Sequence, residues 1–474
     1  MSKLSILALF PIYFLSWLAP GGIVGSAFAQ PNIYTFPSPD IDLGQSSNAR
    51  VVSGGHYIGG RGDTVYVLRQ FEGTLCHKST DGGRTFGPGV LVNSTPAAVN
   101  ASLKVDTAGV VYVAYQSSAD IYFTKSTDGG LTFLPGVKVN DDTIPQTGQE
   151  KPAIAINNKG QVFVAWIDKR FGSNWTIFTS YSIDSGKTFS LNINVNDVLL
   201  HREDPDIAAD DNGCVYVVYE ELLPNVRQVA FARSNNLGQS FSFHTYVSDV
   251  PADGSSCCAI DPTIDTDQSG LVGVSWWESR DDSVTLRFSV SNDSGQNFAP
   301  SVIVDKSGYP QFPSILCENG LFYISWRATH RRTPSGPELN HIWFSYSRDS
   351  GKSFVPFVDA APDTNIAPHF RPSIWVNETE KAFVAWTDPR WDPFWEDHHL
   401  FVSVGKPLLS KGDLNFDATI NLVDIGLEIN AVFLGQPFPA PFHRADGNCD
   451  GQLTPADMVI LLNRWYRGIP FPCE

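Results

Sequence analysis

Two stretches near the C-terminus carry the residue types and spacing of a metal-binding loop. Asp413-x-Asn415-x-Asp417-x-Thr419-x-Asn421-x-x-Asp424 puts oxygen donors at loop positions 1, 3, 5, 7, 9 and 12. Asp446-x-Asn448-x-Asp450-Gly451-Gln452-x-Thr454-x-x-Asp457 repeats the pattern 33 residues later. Such spacing lets a short loop wrap Ca²⁺, with side-chain oxygens at 1, 3 and 5, a backbone carbonyl at 7 and a carboxylate at 12. Two calcium ions are therefore expected. Ala418 stands where such loops need Gly at position 6, a place with an awkward φ for a side chain, so the first site should be the weaker. An apolar helix is expected after each loop, Ile425 to Phe433 and Met458 to Trp465.

A second group of chemistry-bearing residues lies upstream and does not recur. It comprises His201-Arg202-Glu203-Asp204, Cys257-Cys258, Tyr309 and His369-Phe370-Arg371. Two long stretches join it: Arg327 to Asn340, with His330, Arg331 and Arg332, and Thr387 to His399, with Trp391, Trp395, Glu396, Asp397, His398 and His399. Aromatic faces beside carboxylates and Arg suit a sugar or an acidic sugar, because rings stack on sugars and guanidinium forks carboxylates. Acid and Arg also recur in Trp166-Ile-Asp168-Lys-Arg170, Trp277-Glu278-Ser-Arg280 and Trp386-Thr-Asp388-Pro-Arg390. Repetition of that kind reads first as ion pairing between repeats.

The elements that must position these residues are themselves repeated. The phrase Ser79-Thr-Asp81-Gly-Gly83-Arg-Thr85-Phe86 returns from Ser126, Ser182, Ser234, Ser291 and Ser347. A period of roughly fifty residues falls among propeller repeats. Each phrase reads as a hairpin turn in which Asp accepts amide hydrogen bonds, Gly supplies positive φ and Phe anchors the outgoing strand. A β-branched and aromatic strand precedes it, as in Gln161-Val-Phe-Val-Ala-Trp166, and occurs seven times, the last at Ala382-Phe-Val-Ala-Trp386. Before that comes Pro-x-Ile, as at Pro152/Ile154, Pro205/Ile207, Pro262/Ile264, Pro313/Ile315 and Pro372/Ile374.

Each unit thus reads as four antiparallel strands, A (Pro-x-Ile), B, C, phrase, D. The seventh lacks a D strand, and Ile33-Tyr-Thr-Phe36 from the N-terminus is expected to supply it. The fold expected is an all-β, seven-bladed β-propeller of four-stranded antiparallel blades, with six blades as the alternative, followed by a small all-α domain. Strand direction puts the A-to-B turns and the phrases on one face, and the D-to-A and B-to-C loops on the other. Ligands are expected at that second mouth of the central channel.

The six phrases are Asp-boxes, and residues 32–407 resemble the sialidase-like Asp-box propeller proteins. The paired acidic loops resemble a dockerin over residues 411–474. The first resemblance implies cations that clamp a substrate carboxylate, a Tyr nucleophile assisted by Glu, and an Asp acid/base. Here the candidates are Arg371 (or Arg50), Arg202, Glu203, Glu278 and Tyr309, with Trp391, Trp395, His369 and His399 as ligand contacts. The family's opening string of aromatic, Arg, apolar, Pro is absent from the first unit; the nearest match is Phe370-Arg371-Pro372. The second resemblance implies calcium-dependent folding and attachment to a cohesin module. Two functions follow: a propeller that binds glycan or protein and is tethered by its tail, or an exo-acting, sialidase-like glycoside hydrolase.

Composition narrows the field. The 474 residues carry a formal charge of -17, which argues against nucleic acid as a partner. Lys3, the apolar run Leu4 to Leu18 and Ala27-Phe28-Ala29 form a signal peptide over residues 1–29, so export is expected, to the outside or the periplasm, with no further membrane span. Residues 30–410 are then the propeller and 411–474 the calcium module. Of seven cysteines, Cys257-Cys258 suggests a vicinal disulfide, and Cys449 with Cys473 a staple of the tail.

Overall fold

The computed structural model describes residues 34–37, 39–46, 56–93, 98–143, 148–195, 200–224, 226–249, 257–267, 270–280, 283–331, 338–361, 369–390, 398–407, 412–414, 420–434, 442–448, 452–467, 469 and 471. The signal segment, Arg50, Arg332, Trp391, Trp395, Asn415, Asp417, Thr419, Cys449, Asp450 and Cys473 lie outside the described residues.

Strands dominate, in four-stranded antiparallel meanders. The third unit is representative: Gln149–Ile156 (A), Val162–Asp168 (B), Thr176–Ser182 (C) and Ile193–Asn194 (D) pair in chain order. Every residue of its B strand is buried, so both faces of the sheet are covered and the strand reads as a continuous apolar run. Trp166, Trp276, Trp326 and Trp386, at equivalent places in four B strands, are all fully buried. Six further units have A strands at Ile58–Arg61, Ala98–Val105, His201–Ala209, Cys257–Thr266, Gln311–Glu318 and Phe370–Val376. The fourth and fifth also share a short parallel pairing, Val226 with Cys257 and Arg227 with Cys258.

The last unit is completed from the other end of the chain. Tyr34–Thr35 pairs antiparallel with His398–Pro407, as expected, and a second N-terminal strand, Ile41–Ser46, pairs with the same strand further along. Successive A strands touch one another in order, and Phe370–Val376 touches Ile58–Arg61. Sheets arranged in such a cycle form a β-propeller.

The boxes are the turn fasteners expected of them. Ser79 Oγ donates to Asp81 Oδ1 and accepts from the Gly83 amide, while Asp81 accepts from the Arg84 and Thr85 amides and the Thr85 hydroxyl. Gly83 has φ +78, and a Cβ there would come within 2.9 Å of Phe383 and Val404 of the last unit. The Gly is thus required both by the turn and by the neighbouring sheet.

The tail holds α1 (Leu422–Leu434), α2 (Phe442–Ala445) and α3 (Pro455–Arg467), with Thr454 Oγ1 capping α3 by accepting the Ala456 amide. Leu414, Ile425, Ala445, Leu461 and Phe471 join one apolar core with Tyr34, Phe36, Tyr346 and Ile374. The module therefore packs on the propeller. Cys258 is a free thiol, which corrects the vicinal disulfide expected with Cys257.

Candidate active site at the channel mouth

Proline has no amide N–H for a ladder, so a Pro near the start of an A strand forces a local irregularity. Register shifts occur at this level in six units, five of which carry the Pro, between Val99 and Ser102, Glu150 and Ala153, Glu203 and Asp206, Ile260 and Thr263, Gln311 and Ser314, and Phe370 and Ser373. The residue just after the start of each shift adopts a left-handed backbone: Asn100 (φ +50), Lys151 (+51), Asp204 (+47), Asp261 (+49), Phe312 (+54) and Arg371 (+41). Five of these precede Pro, where such a conformation is disfavoured, and non-Gly residues held there at a cost concentrate at functional sites. Bulges re-aim side chains. Here the same bulge in successive units sets a different side chain at the same level of the channel.

Five of those side chains interact. Lys151 Nζ pairs with Asp204 Oδ1 across two units. Arg371 Nη1 lies 3.7 Å from Asp261 Oδ1, and its guanidinium sits 4.6 Å from the centre of the Phe312 ring. Asp261 Oδ2 accepts from Trp277 Nε1 at 2.7 Å. Behind them is Glu220, from the B strand of the fourth unit and fully buried. Its Oε1 accepts the Asp261 amide at 2.7 Å, and its Oε2 accepts from Arg227 at 3.0 Å. Carboxylate oxygens of Glu203, Asp204 and Glu220 lie within 4.8 Å of one another, close enough to hold a cation between them. His201 Nε2 is 3.0 Å from Glu203 Oε1. The Tyr57 hydroxyl donates to the Arg371 carbonyl at 2.7 Å, fixing that bulge from below.

Burial pushes the Glu220 carboxyl well above the usual carboxylate range, and the charges of Asp204 and Asp261 add to the push. Burial also raises Asp261; Arg371 opposes the rise and Asp204 reinforces it. Neighbouring carboxyls whose pKa values are pushed upward are the parts of general acid–base chemistry.

Of the residues expected to be catalytic, Glu203 and Arg371 belong to this network, linked through Arg227, Glu220 and Asp261. Arg202 is fully buried elsewhere, its Nε and Nη2 each 2.9 Å from Glu221 Oε2. Glu278 is held by Arg280 and Arg287. Tyr309 is exposed. His369 is buried 3.5 Å from Asp388, and burial lowers its pKa to about 3; His399 pairs with Asp42. The recurrent acid–Arg sets are structural, as expected: Arg170 binds Asp168, Asp141 and Asn192, and Arg390 binds Asp388 and Asp40. Lys151, Glu220, Arg227 and Asp261 were missed. Two of them, Lys151 and Asp261, are the variable residue immediately before a repeated Pro.

The opposite mouth, ringed by A-to-B turns, opens into a cavity of about 890 Å³ lined by Arg61, Asp106, Asn157, Asp267, Glu318 and Glu378 among others. Between the mouths, His56 Nε2 reaches from the first unit to Asp206 of the fourth at 3.0 Å.

No protein-family model matches the chain, and no curated protein matches it. Among solved structures, a polysaccharide lyase, an ulvan lyase solved with a glucuronate–sulfated rhamnose fragment, aligns with TM-score 0.52 and 11% identity over 76% of this chain and 95% of that one. A Hadza microbial sialidase aligns with TM-score 0.45 and 13% identity over 70% and 73%. An α-L-arabinanase of Penicillium chrysogenum gives 0.45 and 14% over 66% and 94%. At these identities the likeness to the lyase is one of fold.

Proposed function

We propose that the chain is a seven-bladed, glycan-active propeller, a glycoside hydrolase whose chemistry lies at the mouth formed by the bulged A strands. The carrying observation is the pair of buried carboxyls, Asp261 and Glu220, joined through the Asp261 amide and both pushed above the usual carboxylate range beside Asp204. Asp261, at the bulge of the fifth A strand, is the general acid that protonates the glycosidic oxygen as the bond to the leaving group breaks. Asp204 is the ionised partner that activates water or attacks the sugar carbon. Glu220 is fully buried and acts through Asp261, as a positioning residue. Arg371, beside the Phe312 ring, and Lys151 offer cationic donors to substrate oxygens. This departs from the residue set implied by the sialidase resemblance, since Arg202 is spent on Glu221.

For the tail we infer two calcium ions. Asp413, Asp424, Asp446 and Asp457 are buried acids, and in both loops the position-12 Asp accepts the position-9 amide, Asn421 to Asp424 and Thr454 to Asp457, each at 2.8 Å. A cohesin-type partner and an extracellular location follow from the resemblance and the signal segment; among the described residues no helix is long and apolar enough to cross a membrane.

Incubation with a panel of neutral, uronate-bearing and sialylated glycans tests the activity. New reducing ends without an unsaturated product are expected. An unsaturated product would make the enzyme a lyase, and binding without turnover would restore the tethered glycan binder.

A further inference from the structure

The two ends of the propeller and the C-terminal module meet at one buried node. Tyr34, in the two-residue strand that completes the last blade, donates its hydroxyl to the Glu380 carbonyl at 2.8 Å. Glu380 occupies the A-to-B turn of that blade with φ +59, and it is almost fully buried. Its carboxylate accepts from Arg444 Nε at 2.6 Å, and Arg444, in α2, is buried too. The Arg444 carbonyl in turn accepts the amide of Gly412, where the chain has left the last propeller strand. One residue of the tail thus ties the first strand, the last blade and the chain leaving it. Around the node the Tyr34 ring packs against Phe344 at 4.7 Å and Tyr346 at 5.4 Å, in the same apolar core as Leu414, Ile425, Ala445 and Leu461.

We infer that the C-terminal module is a clasp that holds the propeller ring shut, with Arg444–Glu380–Tyr34 as its catch. A strand of two residues has too few ladder bonds to stay paired alone, and terminal strands fray unless tied down. The tie here comes from the tail. Glu380 is raised by burial and drawn back first by Arg444 and less by Arg348, so without Arg444 a buried carboxyl would lose its hydrogen-bonded cation and the turn that holds Tyr34 would open. Arg444 stands two residues before Asp446, the first acid of the second loop, so a change of state in that loop has a short covalent route to the catch. This last step rests on the calcium reading of the tail; the clasp itself does not.

Hydrogen exchange on the full-length chain tests the clasp. Arg444→Ala should raise exchange at Tyr34–Thr35 and Lys406 at least tenfold while leaving the B strand Val162–Asp168 unchanged; Arg444→Lys should restore part of the protection, and Tyr34→Phe should reproduce the loosening in milder form. Unchanged exchange at Tyr34–Thr35 in both Arg444→Ala and Tyr34→Phe would overturn the clasp. Adding a calcium chelator to the wild-type chain should loosen the same strand. Loss of protection in α1 and α3 with Tyr34–Thr35 unaffected would overturn the transmission, and no change anywhere would overturn the calcium reading alone.

Discussion

The amide of Asp261 donates to Glu220 Oε1 at 2.7 Å, so the bulge of the fifth A strand is hung from a carboxyl that is wholly buried. The bond orients the Asp261 bulge, and both acids are raised above the usual range. Asp261→Asn should lower kcat by roughly 10²–10⁴-fold with the thermal midpoint kept, because it removes the transferable proton. Glu220→Gln should retain the acceptor and lose less. Equal losses in both would mean that Asp261 does not deliver the proton.

The pH profile carries a sign that separates these roles. Asp261 must be protonated to act, so activity falls as pH rises through its folded pKa, which lies above the ordinary value of about 3.9. Arg371 lowers that pKa and Asp204 raises it. Arg371→Ala should therefore move the alkaline limb to higher pH. In whatever activity Asp204→Asn retains, the limb should move to lower pH. Rate profiles on one substrate across the acid range check both directions.

Much of this architecture was legible because it is repeated. Six boxes and seven apolar strands fix the meander, and the missing D strand called for one from the N-terminus, which Tyr34–Thr35 supplies. The second N-terminal strand, Ile41–Ser46, was not legible: Asp42, Gly44 and Gln45 break any alternation, and its pairing depends on the far end of the chain. The site was legible in part. Arg371 and Glu203 stood out as departures from the repeat, whereas Glu220 follows the strand motif Val215-Tyr-Val-Val-Tyr219 as one more residue, and only its burial marks it. Asp261 and Lys151 were hidden by the Pro that follows them, which reads as a strand start and gives no hint of the left-handed φ. Arg202 misled because sequence shows a charge and not that Glu221 already neutralises it.

The two glycines Gly172 and Gly186 separate backbone strain from packing. Both have positive φ, +77 and +83, but a Cβ at Gly172 meets nothing within 4 Å, whereas one at Gly186 would come 2.0 Å from Phe123 of the preceding unit. Gly172→Ala should cost about 1–2 kcal/mol from conformation alone. Gly186→Ala should cost about 1–3 kcal/mol more, because a box Gly also packs against the next sheet. Chemical denaturation gives both values, and equal costs would deny the boxes their role between sheets.

The boxes also set how the fold meets acid. Asp81, Asp128, Asp184 and Asp349 are held below the ordinary carboxylate range by the amides and hydroxyls they accept, and Asp293 is brought to about 2. A carboxylate depressed in the folded state adds stability that is fully present above its unfolded pKa of about 3.9 and is lost as pH falls through the folded value. These five boxes should therefore contribute nothing to any change between pH 6 and 5, about one unit or more above that unfolded value, and should steepen the decline below about pH 4. The fourth box supplies the control, because Asn236 makes the same turn without a titrating group: its Oδ1 accepts the Ser240 amide and its Nδ2 donates to the Ser240 hydroxyl. Asp184→Asn should then leave stability near neutral pH close to wild type and shallow the acid decline, and replacing several boxes should flatten it further. Denaturation midpoints measured from pH 7 to pH 2 check this, and an acid slope indifferent to Asp184→Asn and Asp293→Asn would place the acid sensitivity elsewhere in the chain.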